Sequence, residues 1–215
     1  ALSQASFEQT LGQAMTGFDI LQNNLERAAQ LISSFKHTVV NQVDDSLSDF
    51  DVMEAARTLI VSLQPVMRRV PVVPVLKGPE RLRVRSYPSA LMQVLTNLMM
   101  NSALHAFEGI ASPEIEIEVV REQTGWTLTY RDNGVGVAPA LHHRLFEPFY
   151  TTRRGRGGTG LGLHIVFTLV TQRLGGRLSF WSDASAGLRF RFELPLSAPA
   201  TTAAHAQPGA MEDAP

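Results

Sequence analysis

Three short polar or glycine-rich stretches, set at fixed spacing in an otherwise apolar chain, restrict what this sequence can fold into. They are Asn97-Leu-Met-Met-Asn101-Ser102, Asp132-Asn133-Gly134-Val135-Gly136 and Gly155-Arg-Gly157-Gly158-Thr159-Gly160-Leu161-Gly162-Leu163. The first is a pair of amides one helical turn apart. The second is a carboxylate beside a glycine turn, directly after a strand-like run. The third is a glycine-rich loop that enters a helix. A fold that accepts all three must bring a helix face, a strand end and a helix mouth into use at once.

Each stretch has its own chemistry. Leu91, Val94, Leu95 and Leu98 form a core stripe, while Asn97, Asn101 and His105 stand at i, i+4 and i+8 on a different face. Asparagine is a poor helix-interior residue because its side chain competes for backbone groups. Two in register either bond a neighbouring backbone or use their amide oxygens as hard ligands suited to Mg²⁺. Asp132 is open to two readings, an Asx turn after a strand or an acceptor for an exocyclic amine, with Gly134 and Gly136 letting the backbone approach a flat ligand. At the third stretch, Gly160 and Gly162 precede Leu163-His-Ile-Val, so the free N–H groups and dipole of a helix N-terminus offer an anion site; the bland alternative is a hinge. No Gly-Lys-Ser/Thr follows, which excludes a P-loop. Arg153, Arg154 and Arg156 are either phosphate contacts or solvated surface charges.

Composition permits a core: 44% of the 215 residues are hydrophobic and 18% charged. A net charge of -1 gives no electrostatic case for a nucleic-acid partner. The absence of cysteine removes disulfides, thiolate catalysis and Cys-based metal sites, and fits a reducing compartment. No apolar run approaches the roughly 20 residues of a membrane span, so no direct membrane contact is expected of this segment. The opening at Ala1 rather than Met suggests a piece of something longer.

Four regions are expected. Residues 1–43 are helical to about position 41, with Phe7, Leu11, Ala14, Phe18, Leu21, Leu25, Ala28, Ile32, Phe35 and Val39 in alternating steps of four and three. That seam predicts a coiled coil or bundle, hence a homodimer through residues 7–39, rather than a helix packed on its own domain. Residues 44–51, polar and acidic, read as a linker. Residues 52–196 read as an α+β two-layer sandwich with a mixed, mainly antiparallel sheet and helices on one face. Its elements include a helix from Val52 broken at Pro65, short strands at Val72–Leu76 and Leu82–Arg85, and an alternating strand Ile115-Glu116-Ile117-Glu118-Val119. A helix closed by Gly175-Gly176 and strands through Leu178–Phe180 and Leu188–Leu194 complete it. Residues 197–215 read as a disordered tail.

With Phe146-Glu147-Pro148-Phe149-Tyr150-Thr151-Thr152-Arg153 between the second and third stretches, the order and spacing resemble the N, G1, F and G2 boxes of the histidine-kinase branch of the GHKL ATPases. The resemblance covers about Phe50 to Leu196. It implies ATP and Mg²⁺ as ligands, with Asn101 on the Mg²⁺, Asn97 on the phosphate side, His105 beside the nucleotide and Asp132 reading adenine. Gly134 and Gly136 would shape the pocket floor. Thr151, Thr152, Arg153, Gly158, Thr159, Gly160, Leu161, Gly162 and Leu163 would line the ATP site, beneath a lid of roughly 138–159 pinned by Phe146 and Phe149. A loop of that length in a compact domain is normally functional.

The sequence also departs from the pattern. The family's phosphoacceptor is a His followed by Glu or Asp, and none of the six histidines fits; His37, on the seam helix, precedes Thr38. The acceptor is therefore expected upstream of Ala1. Leu188 stands where many members carry a hydroxyl residue, and Leu104 where a lysine is frequent. The resemblance thus implies the ATP-binding catalytic part of a sensor histidine kinase, expected as the cytoplasmic part of a longer bacterial sensor protein, membrane-bound or not. Its implied partners are its own phosphoacceptor helix and a response-regulator receiver domain. The other classes are a degenerate nucleotide-binding and dimerisation module, and a GHKL clamp or serine-directed kinase; the latter need a built-in hydrolytic glutamate or a different lid.

Overall fold

The computed structural model describes residues 46–67, 70, 72–153, 158–183 and 187–200. The expected seam helix with His37, Arg154 to Gly157 of the glycine-rich stretch, and the residues beyond 200 lie outside the described residues.

The core strands follow from their alternation. In β4 (Ile115–Arg121), Ile117 is fully buried while Glu118 is exposed. Paired antiparallel with it is β5 (Gly125–Asp132), whose Leu128 and Tyr130 point the same way. Then β7 (Gly187–Pro195) pairs antiparallel with β5 and β6 (Arg177–Asp183) antiparallel with β7, while the short β2 (Val75–Lys77) joins the other edge parallel to β4. The order β2-β4-β5-β7-β6 is the mixed, mainly antiparallel sheet that the sequence predicts.

Three helices cover the apolar face. They are α1 (Val52–Met67), α2 (Pro88–Asn101) and α3 (Gly162–Thr168). The stripe Leu91, Val94, Leu95 and Leu98 of α2 is almost wholly buried, against Val166 and Val170 from the α3 region and the sheet residues Phe190 and Phe192. Proline at the start of α2 loses nothing by lacking an N–H. Both α2 and α3 end in a π-helical turn, at Ser102–Ala106 and Leu169–Arg173. Such turns add one residue to a helix and often sit at functional sites.

Three expectations are corrected at the edges. The stretch read as a linker ends inside the fold: Ser48–Asp51 is β1, antiparallel to β3 (Arg83–Ser86). Asp51 then caps α1, its Oδ1 accepting N–H groups from Met53 at 2.9 Å and Leu82 at 3.3 Å. These backbone bonds hold its carboxyl below the usual range despite its desolvation. At the other end, Ala198 donates to the Arg85 carbonyl at 2.8 Å and the Tyr87 hydroxyl to the Pro199 carbonyl at 3.0 Å. The start of the expected tail is therefore part of the domain. Finally, α1 runs through Pro65 to Met67, because a proline in the last turn forfeits only one terminal bond.

Candidate functional site

The last residue of β5 is Asp132, 2% exposed, at the floor of a cleft of about 730 Å³ between the sheet, the end of α2 and the start of α3. Its Oδ1 accepts the backbone N–H groups of Gly134 at 3.0 Å and Leu188 at 3.2 Å. Its Oδ2 accepts the Ser102 hydroxyl at 2.6 Å, and Ser102 Oγ accepts the Tyr130 hydroxyl at 2.9 Å. Burial pushes the Asp132 carboxyl above its usual range, and the three donors pull the other way. Gly134 is required by contact: a Cβ there would lie 2.6 Å from the carbonyl oxygen of Ala106, which accepts Val135 N–H at 2.9 Å.

The π turn of α2 forms one wall. Asn101 faces the mouth of α3, while Asn97 lies a turn deeper and accepts Gln93 Nε2 at 3.4 Å on its oxygen. Among the described residues the buried Asn97 Nδ2 has no hydrogen-bond partner, the kind of orphan donor a phosphate oxygen would satisfy. His105, half-buried, lines the cleft; burial holds its imidazole below the usual range, and the Arg153 charge adds to this. At neutral pH it is therefore uncharged.

Opposite stands the segment that the sequence predicts to act as a lid. Phe146 packs with Phe167 and Phe180 at ring separations of 5.6 Å each, and His164 Nδ1 meets the Phe146 carbonyl oxygen at 3.1 Å. Phe149 does not pin the lid through its ring, which is exposed; its main chain does so, donating to the Gly160 carbonyl at 2.8 Å. Phe149 holds φ +67° and Gly160 φ +70°. A positive φ at a non-glycine aromatic is local strain, and such strain clusters at functional segments.

Of the residues singled out from the sequence, Asn97, Asn101, His105, Asp132, Gly136, Thr151, Gly158, Thr159, Gly160, Leu161, Gly162 and Leu163 line the cleft. Thr152 is exposed and does not. Arg153 pairs with Glu108 instead of entering the cleft. Leu104 and Leu188 are both in the lining. Ser102, Tyr130 and Tyr150 also belong to it and were not anticipated; a serine inside an apolar helix immediately after Asn101 was the available signal. Among the described residues no cluster of three or more His, Asp or Glu forms a metal site. A cation here would rest on the Asn101 amide and on ligand oxygens, a donor set that suits Mg²⁺. No helix among the described residues is long and apolar enough to cross a membrane.

Residues 86–198 match the family described as histidine kinase-, DNA gyrase B-, and HSP90-like ATPase. The two-component sensor PprA of Pseudomonas aeruginosa is 41% identical over 125 residues, covering 56% of this chain and 13% of that protein. The sensor protein TdiS of Thauera aromatica is 31% identical over 206 residues, covering 89% of this chain and 34% of that protein. The chain thus spans about a third or less of the length of these relatives. Among solved structures, the catalytic domain of histidine kinase ThkA matches with a TM-score of 0.62 at 25% identity, over 71% of this chain and 97% of that one. ThkA in complex with the response regulator protein TrrA shares the fold at a TM-score of 0.63 and 22% identity, over 83% of this chain and 50% of that one.

Proposed function

We propose, since this chain belongs to the histidine kinase-, DNA gyrase B-, and HSP90-like ATPase family, that its cleft binds Mg·ATP and presents the γ-phosphate to a histidine outside this chain, as the catalytic part of a two-component sensor kinase. The observation that carries this reading is convergence: buried Asp132, the Asn97–Asn101 face and the Gly160–Gly162 helix mouth share one cleft. Asp132 accepts the adenine amine. The α3 mouth and Asn97 hold phosphate oxygens, and Asn101 holds Mg²⁺, which supplies charge neutralisation when bound. His105, neutral, packs beside the nucleotide.

An imidazole nitrogen attacks the γ-phosphorus, an N–P bond forms, the bond to the β–γ bridging oxygen breaks, and ADP leaves. Positioning and electrostatics supply most of the catalysis in such transfers, so the chain needs no general base of its own. The acceptor histidine lies in cis or on a dimer partner joined through residues 7–39. A response-regulator receiver domain takes the phosphoryl group next, in the cytoplasm.

ATP titration with and without Mg²⁺ tests the binding step: metal-dependent binding supports the reading, and tight metal-independent binding or none favours a degenerate module. A chain extended upstream of Ala1 should gain acid-labile phosphate from γ-labelled ATP. Stable label on His37 of the chain as it stands would place the acceptor inside it and refute that part.

A further inference from the structure

The buried hydroxyl that meets Asp132 comes from an unexpected element. Leu188, the register partner of Asp132 on β7, brings only its main-chain N–H, since its own side chain is apolar. The donor to Oδ2 is Ser102, 3% exposed, the first residue of the π turn and the immediate neighbour of Asn101. Tyr130, 1% exposed, donates to Ser102 in turn. The direction of this chain is fixed, because an ionised carboxylate only accepts and Ser102 must therefore spend its proton on Asp132.

We propose that Ser102 is the positioning residue of the purine site: with Tyr130 behind it, it fixes the Asp132 carboxylate and keeps it an acceptor for one exocyclic amine hydrogen of the base. The inference rests on the reading of the cleft as an ATP site. A carboxylate offers about four lone-pair directions. Gly134, Leu188 and Ser102 take three of them, leaving one for a donor in the cleft. Burial favours the protonated acid, and the Ser102 hydrogen bond opposes it. Without that bond a larger fraction of Asp132 is protonated, and a protonated carboxyl presents a donor where the amine also presents one. Burial raises the Tyr130 hydroxyl far beyond its ordinary range, so it remains a donor at any pH the protein meets. The cation-side amide and the base-side hydroxyl are then consecutive residues, Asn101 and Ser102, on one stretch of helix.

The test compares the parent chain with Ser102→Ala, Tyr130→Phe, and Ser102→Ala combined with Leu188→Thr. The Asp132 carboxyl carbon is titrated by NMR in the nucleotide-free chain. Affinities for ATP and for purine riboside triphosphate, which lacks the 6-amino group, are measured by calorimetry between about pH 6 and 9. Ser102→Ala should raise the pH at which Asp132 titrates and weaken ATP by about tenfold, the loss shrinking as pH climbs past that titration. The amine-free analogue should lose little. Leu188→Thr, restoring a hydroxyl from β7, should recover much of the loss.

An Asp132 titration unmoved by Ser102→Ala, or equal losses for ATP and the analogue, overturns the role of Ser102. If Ser102→Ala fails to fold, Tyr130→Phe should move both readouts in the same direction by a smaller factor, and its leaving both unmoved overturns the proposal equally. A parent chain that binds no ATP refutes the nucleotide reading itself, a result distinct from binding that ignores Ser102.

Discussion

Asn101 and Gly162 face each other in the cleft: a Cβ placed on Gly162 would lie 3.1 Å from Asn101 Oδ1 and 3.3 Å from its Nδ2. The second amide of the α2 face thus rests against the first residue of α3, and the absence of a side chain at position 162 leaves that amide free to turn toward a ligand.

Gly162→Ala should therefore separate stability from binding. Alanine is a better helix former than glycine by up to about 1 kcal/mol, so the melting temperature should hold or rise slightly. The new methyl presses the Asn101 amide, and Mg²⁺-dependent ATP affinity should fall by about tenfold. Unchanged affinity in a calorimetric titration would mean that Asn101 does not hold the cation.

Asp132→Asn should abolish most nucleotide binding, by about ten- to hundredfold, because a hydrogen bond to a charged acceptor is lost. Its effect on stability runs the other way. The folded carboxyl titrates above its ordinary value of 3.8. As pH rises from that value through the folded pKa, the unfolded chain has lost its proton while the folded one still holds it, so parent stability declines across the window. The asparagine carries no such burden. The melting temperature of the variant relative to the parent should climb across that window and then level off, which a series of thermal melts reads directly.

Gly160→Ala should loosen the lid without unfolding the domain. At φ +70° an alanine costs about 1–2 kcal/mol. Its Cβ would also lie 2.7 Å from the Tyr150 nitrogen. Amide exchange across 146–153 should accelerate while the amides of β4 and β5 keep their protection, and ATP affinity should drop. Uniform acceleration everywhere would contradict a local lid.

Glu108→Gln should release Arg153. The pair is partly exposed, with Glu108 72% accessible, so its loss should cost about 1 kcal/mol or less. A freed guanidinium can reach phosphate oxygens, and ATP affinity should improve by about threefold at low salt, fading as salt screens the charge. Affinity that is unchanged or weaker at low salt would mean Arg153 has no phosphate role.

How much of this was legible depended on whether side chains or backbone carried the signal. The stripe of α2, the alternation of β4 and the spacing from Asn97 to Leu163 were plain because burial imposes a period on residue type. The strand Ser48–Asp51 was read as linker because its place is secured by main-chain pairing with β3 and its two aspartates resemble a solvated run. Ser197 and Ala198 were missed for the same reason, joining the fold through the Arg85 backbone. Arg153 meets a partner 45 positions away, a pairing no local pattern announces. Ser102 was passed over because the periodicity used for helices assumes 3.6 residues per turn, and the π turn departs from it where the serine begins.

That extra residue has a practical consequence. Removing one residue from 102–106 would let α2 continue as ordinary α-helix, and the chain upstream would not notice. Only the side chains within the turn would be re-phased, because the extra residue is what sets His105 on the cleft and the Ala106 carbonyl against Val135, while the chain beyond keeps its course. The domain would still assemble its sheet and fold, yet its nucleotide face would be dismantled. A single-codon deletion is thus a cleaner knockout of this site than most substitutions within it.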